Sequence, residues 1–193
     1  MIKLGIILFF LVMAISAIDA QLKWVSGVQY AYANSGVSYK GVLQYNEMCI
    51  GMSPFVDLSM GYYNFSDSQA DEFAKALDYN QQFAIKGMSI IGAVSPINFS
   101  SQYLRIGVGF TVGKIELNEP YAWYYSEDFD LISMRFLPAD YWDIGYLTRI
   151  SYSYSFNNRF EIGLAGNSYI FSDENTPSIY SLGLFLAIRF ADF

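Results

Sequence analysis

Residues 142–156 alternate without a break. Trp142, Ile144, Tyr146, Thr148, Ile150, Tyr152, Tyr154 and Phe156 occupy one parity, and Asp143, Gly145, Leu147, Arg149, Ser151, Ser153 and Ser155 occupy the other. Successive side chains of a strand point to opposite sides. A period of two over this length therefore specifies a strand with one aromatic and aliphatic face and one small, polar and charged face. Asn157-Asn158 then supplies a two-residue turn. The pattern resumes with Phe160, Ile162 and Leu164 opposite Glu161, Gly163, Ala165 and Asn167. The segment predicts a long antiparallel hairpin with one greasy face.

The rest of the chain repeats the theme. Residues 21–33 place Leu22, Trp24, Val28, Tyr30 and Tyr32 against Lys23, Gly27, Gln29 and Ala31. Further strands are expected over residues 40–52, 55–65, 83–94, 103–115 and 178–190, giving about eight. Within 40–52 the apolar phase slips near Asn46, from Leu43 and Tyr45 to Met48, Ile50 and Met52; a β-bulge is the expected cause. Ser53-Pro54 and Ser95-Pro96 mark turns. Residues 66–82 are polar and acidic, with Ser68 three residues before Asp71 as the start of a short helical turn. Residues 116–140 form the longest irregular stretch. Short connections fall on one side and longer ones on the other. This predicts an all-β fold, an eight-stranded antiparallel up-and-down transmembrane β-barrel with short periplasmic turns and longer extracellular loops.

Alternation alone does not decide which face meets water. A secreted lipocalin-like carrier of an apolar ligand would turn the greasy face inward. The polar face, however, is mostly Gly, Ser and Ala, with isolated charges at Lys23, Glu47, Asp57, Arg105, Asp143, Arg149, Glu161 and Arg189. Small residues with sparse charges of both signs suit the tight interior of an eight-stranded barrel. The chain is 19% aromatic and only 15% charged, whereas soluble domains carry about 25% charged residues. Trp24, Trp142, Tyr152, Tyr154 and Phe156 sit near strand ends, where interfacial aromatic girdles belong. Interior charges must pair, because a buried unpaired ion costs several kcal/mol. Arg189 and Glu161, on neighbouring strands, are the first expected pair. Such a network forms a structural plug; a narrow pore or small-solute transporter is the alternative.

Residues 1–20 have the form of an export signal, with Lys3 before an apolar run and small residues Ala17 and Ala20 at the expected cleavage site. One barrel domain then covers residues 21–193. Loss of Lys3 and Asp19 cancels, so the net charge stays at −7, a poor basis for binding nucleic acid. Cys49 is the one cysteine and there is no histidine, which removes both an internal disulfide and the usual general base. No zinc spacing, P-loop or dinucleotide fingerprint occurs. A non-enzymatic protein without cofactor or metal is expected. Its candidate contact with an external ligand or surface is the aromatic and acidic segment containing Tyr121, Trp123, Tyr124, Tyr125, Glu127 and Asp128.

The final strand, GLFLAIRF over residues 183–190, resembles the C-terminal strand of small OmpA/OmpX-type outer-membrane barrels, which commonly end in an aromatic residue. The resemblance implies a monomeric barrel in a Gram-negative outer membrane, both termini periplasmic, surrounded by lipid. It also implies insertion by the barrel assembly machinery, which reads the last strand. Here Ala191-Asp192 separates Phe190 from a second aromatic, Phe193, and either can carry that signal. The combined expectation is a structural or adhesive surface protein acting through its loops.

Overall fold

The computed structural model describes residues 21–34, 38–53, 55–69, 83–99, 101–125, 131–156 and 159–192, with 68–69, 118–125, 131–137 and 191–192 described by backbone alone. Eight strands follow one another around a closed barrel: β1 (Gln21–Asn34), β2 (Ser38–Ser53), β3 (Val56–Gln69), β4 (Phe83–Phe99), β5 (Gln102–Tyr125), β6 (Leu131–Phe156), β7 (Phe160–Phe171) and β8 (Ser178–Asp192). Each pairs antiparallel with its sequence neighbours, and β8 closes on β1 from Asn34↔Ser178 to Gln21↔Asp192. Closure leaves no free sheet edge. The β2–β3, β4–β5 and β6–β7 connections share one end of the barrel with the start of β1 and the end of β8. We call this the turn end, and the opposite end the loop end. The expected export signal over residues 1–20 lies outside the described residues, as do residues 70–82, where most of the expected helical turn falls, and Phe193.

The outer face is mostly apolar on every strand. Val28, Met48, Met60, Ile90, Val108, Phe110, Ile150, Leu164, Leu182 and Leu184 all point out and are exposed. Rings cluster toward the turn end, where Phe99, Phe156, Phe160 and Phe190 are exposed. Toward the loop end on β2–β6 the outer face turns polar, with Lys40, Ser66, Lys86, Glu116 and Asp140 exposed.

The interior departs from the expected small and polar lining. Its loop half is a hydrophobic core of Tyr39, Leu43, Phe65, Phe83, Ile85, Ile115, Leu117, Leu147, Phe171 and Ile179, all buried. This explains the phase slip in β2. The β1–β2 ladder runs in continuous register from Gln21↔Gly51 to Asn34↔Ser38, and β2–β3 is continuous from Gly41 to Gly51. No bulge falls at Asn46. Leu43 and Tyr45 share their parity with Glu47 and Cys49 and are buried with them. The apolar residues change faces because the barrel changes its filling. The fourth strand behaves likewise, with Phe83, Ile85 and Ile91 inside and Met88 and Ile90 outside.

Two boundaries are also corrected. β4 does not end at Ser95-Pro96 but runs to Phe99, absorbing the proline, which has no N–H for the ladder, in a register shift between Val94 and Ile97. Most of residues 116–140 is strand rather than irregular loop. β5 continues to Tyr125 and β6 begins at Leu131.

Candidate functional site

Strand alternation brings all eight charged residues expected on the interior face to the barrel lumen, in three places. Nearest the turn end, the starts of β1, β3, β5 and β7 and the end of β8 converge. Glu161 takes Lys23 Nζ at 3.1 Å and Arg105 Nη1 at 3.0 Å. Arg105 also donates through Nε to Asp57 Oδ2 at 2.8 Å and through Nη1 to Ser153 Oγ at 2.9 Å. Its guanidinium lies 4.8 Å from the centre of the Tyr103 ring, within cation–π range. The expected Arg189–Glu161 pair is the loosest contact of the group at 3.8 Å. The reason lies in register: Glu161 pairs with Ala187, two residues short of Arg189, while Lys23 and Arg105 reach it across the lumen.

Half-way up, Arg149 binds Glu47 with two parallel bonds, Nη1 to Oε2 at 2.6 Å and Nη2 to Oε1 at 2.7 Å. Its Nε donates to Asn167 Oδ1 at 2.6 Å. Asn167 in turn donates to Gln29 Oε1, which also accepts from Ser181 Oγ, and Gln29 donates to the Ala165 carbonyl at 2.8 Å. The chain of bonds joins β1, β2, β6, β7 and β8. Tyr45 lies under Arg149, its ring centre 4.7 Å from the guanidinium carbon. Two glycines make this crowding possible. A Cβ on Gly27 would meet the Tyr45 ring at 2.4 Å, and one on Gly61 would meet Glu47 Cγ at 2.3 Å. Above this layer Tyr63 and Tyr169 stack with ring centres 4.7 Å apart, and Thr111 bonds the Tyr63 hydroxyl at 2.7 Å.

Asp143 belongs to neither cluster. It sits at the loop end, where it accepts from Ser172 Oγ and from the Asp173 backbone N–H at 3.1 Å, and so fastens the β7–β8 connection. Between the two ion clusters a cavity of about 50 Å³ remains, lined among others by Lys23, Glu47, Cys49, Arg105 and Glu161. That is room for a few water molecules.

Glu47, expected on the charged face, proves to be the partner of Arg149. The linkers Gln29 and Asn167 are the residues that the predicted site lacked, because they carry no charge to single them out.

The aromatic segment stands apart. The β4–β5 ladder ends at Phe83↔Leu117 and the β6–β7 ladder begins at Gly145↔Phe171. Among the described residues, the β5 and β6 strands pair only with each other from Asn118↔Pro138 to Tyr125↔Leu131, with register shifts between Pro120 and Ala122 and between Tyr124 and Tyr125. This two-stranded hairpin extends past the described β4–β5 and β6–β7 ladders and carries Tyr121, Trp123, Tyr124 and Tyr125 in its backbone; Glu127 and Asp128 lie outside the described residues. No group of three or more potential metal-ligating residues occurs among the described residues.

No family model matches the sequence, and no curated protein is found as a relative. Solved structures do match. Neisserial surface protein A is 12% identical with a TM-score of 0.63, covering 88% of this chain and 97% of its own. The attachment invasion locus protein Ail of Yersinia pestis is 8% identical with a TM-score of 0.56 over 89% and 98%. The N-terminal β-barrel domain of Pseudomonas aeruginosa OprF is 9% identical with a TM-score of 0.52 over 88% and 97%. At such identities the likeness concerns architecture alone, and it spans nearly the whole of each partner. The chain has the fold of the small eight-stranded outer-membrane barrels.

Proposed function

We propose that this is a non-enzymatic barrel of a Gram-negative outer membrane, closed to ions, that acts at the cell surface through its loop end. One observation carries the reading. An outer belt of exposed apolar side chains surrounds an interior filled by two ion-pair clusters and an aromatic core. Apolar outer faces on all strands suit lipid and not water. Filled interiors are what eight strands allow. The polar outer residues Lys40, Lys86, Glu116 and Asp140 support a membrane boundary toward the loop end, with the β5–β6 hairpin beyond it. Periplasmic termini and turns, and export by cleavage after Ala20, complete the topology. The solved structure of Ail is titled an attachment invasion locus protein, and an adhesive or binding role through the aromatic hairpin is the corresponding reading here.

Three measurements test this. The refolded protein should run faster unboiled than boiled on a gel; a single band at both temperatures would argue against a closed, detergent-embedded barrel. Planar bilayers containing it should stay silent, since steady channels would favour the small-solute pore. The native thiol gives a third readout. Cys49 is buried between the clusters, so a charged maleimide should leave the folded protein unlabelled and label it after denaturation. Rapid labelling of the folded form would reveal an open lumen.

For the loop end, Ser126→Cys on intact cells should react with an impermeant maleimide, and protection there would reverse the topology. Replacing residues 118–138 by a short turn should keep the heat-modifiable band and lower attachment of expressing cells to surfaces. Unchanged attachment would dismiss the hairpin as the contact.

A further inference from the structure

Midway along the wall, exposed primary amides interrupt the apolar belt on one side; Thr148 on β6 is also exposed but carries only a hydroxyl. Asn46 lies at the middle of the sixteen-residue strand β2, and it points outward and is exposed, as is Gln44 one step nearer the loop end. Asn46 pairs with Ser26 on β1 and with Tyr62 on β3; Gln44 pairs with Val28 and with Asn64. Ser26 is exposed and Tyr62 is 46% exposed. Neither Gln44 nor Asn46 has a side-chain hydrogen bond among the described residues. The patch is therefore a cluster of two exposed primary amides, a serine and a tyrosine hydroxyl, spread over three neighbouring strands. Other mid-wall positions carry Ile90, Val108, Ile150 and Leu184.

Given the membrane reading above, on which this inference rests, those amides would face hydrocarbon. An amide there without a hydrogen-bond partner is strongly disfavoured, and no water is at hand to supply one. We propose that the β1–β3 face pairs with the same face of a second copy of this chain, as a two-fold dimer within the membrane. The chemistry selects that occupant. Each primary amide has both donors and acceptors, so the patch is complementary to itself when turned about a two-fold axis, the commonest symmetry of homo-oligomers. It bears no charge that would call for a partner of opposite sign. Val28, Val42, Met48 and Met60 surround it with exposed apolar area for packing. The dimer departs from the monomer expected from the sequence, and the test below decides between them.

The test uses Asn46→Cys in liposomes, with native Cys49 left in place because it faces the lumen. Ile150→Cys, on the far wall, and wild type are the controls. Mild oxidation should double the apparent mass of Asn46→Cys and leave both controls monomeric. In parallel, Gln44→Leu/Asn46→Leu should lose the dimer seen for wild type by cross-linking in the same liposomes. Cross-linking of Ile150→Cys to the same extent would mark random collision and overturn the proposal. So would an uncross-linked Asn46→Cys, a heterologous partner in the outer membrane, or a dimer indifferent to the leucine changes. A variant that remains monomeric yet keeps its heat-modifiable band refutes the dimer alone. Loss of heat modifiability in wild type would instead refute the membrane reading.

Discussion

Glu47→Ala is expected to shift the urea unfolding midpoint of the lipid-reconstituted barrel well below that of wild type, through a loss of about 3–5 kcal/mol. The substitution removes both carboxylate oxygens that Arg149 contacts at 2.6 and 2.7 Å. A guanidinium cannot shed its charge at any accessible pH, so it would remain ionised in the lumen with one bond to Asn167 and the ring of Tyr45. The damage would spread, because Asn167 also holds Gln29 and through it β8. Arg149→Met should be destabilising in the same range by stranding Glu47. Glu47→Leu/Arg149→Met, in contrast, should recover most of the loss. A buried ion pair stabilises no more than a well-packed apolar pair of similar volume, and removing half of it is strongly destabilising. Additive losses in the double variant would mean that the pair itself supplies the stability.

The strands, their number and their facing were legible because a barrel wall exposes its pattern residue by residue. Arg105, Arg149, Glu161 and Arg189 all occupy the parity opposite the aromatic one, and each points into the lumen. What failed was the assumption that one parity keeps one chemistry from end to end. Leu43, Tyr45, Phe83 and Ile85 lie inside with the charged residues, since the loop half of the barrel is filled by a hydrophobic core while its outer surface turns polar. A change of filling and a bulge produce the same phase slip in sequence, and only the continuous ladder through Asn46 separates them. Ion-pair choice was illegible for another reason. Adjacency in the sheet suggested Arg189 with Glu161, yet the lumen is narrow enough for Arg105, from a strand that is not a neighbour of β7, to come closer. The irregular composition of residues 116–140, with two prolines, hid the extension of β5 and β6 that pairs strand with strand beyond Leu117.

Ile150→Arg should destabilise the reconstituted barrel by about 2–4 kcal/mol, the cost of a cation at the bilayer midplane of a barrel wall. Ile150 points outward, is 60% exposed, and sits between Ile106 and Gly166 on the neighbouring strands. Nothing in the lumen is disturbed by the change, so its effect reports only what the outer face touches. Leu184→Arg should behave alike. Ser66→Arg, on the outer face at the loop end, should cost little, since the penalty falls to about 0–1 kcal/mol toward the interface. Ser151→Arg separates the two sides of the wall. Ser151 is buried and pairs with Arg105, so an arginine there crowds the lumen beside two existing guanidiniums and should block folding in detergent and bilayer alike. The comparison is read from unfolding midpoints and from the fraction of protein inserted into liposomes. If Ile150→Arg and Ser66→Arg were equally harmless, the apolar belt would not be in hydrocarbon. The membrane assignment would then fall, although the closed barrel, the Arg149–Glu47 pair and the aromatic core would stand unchanged.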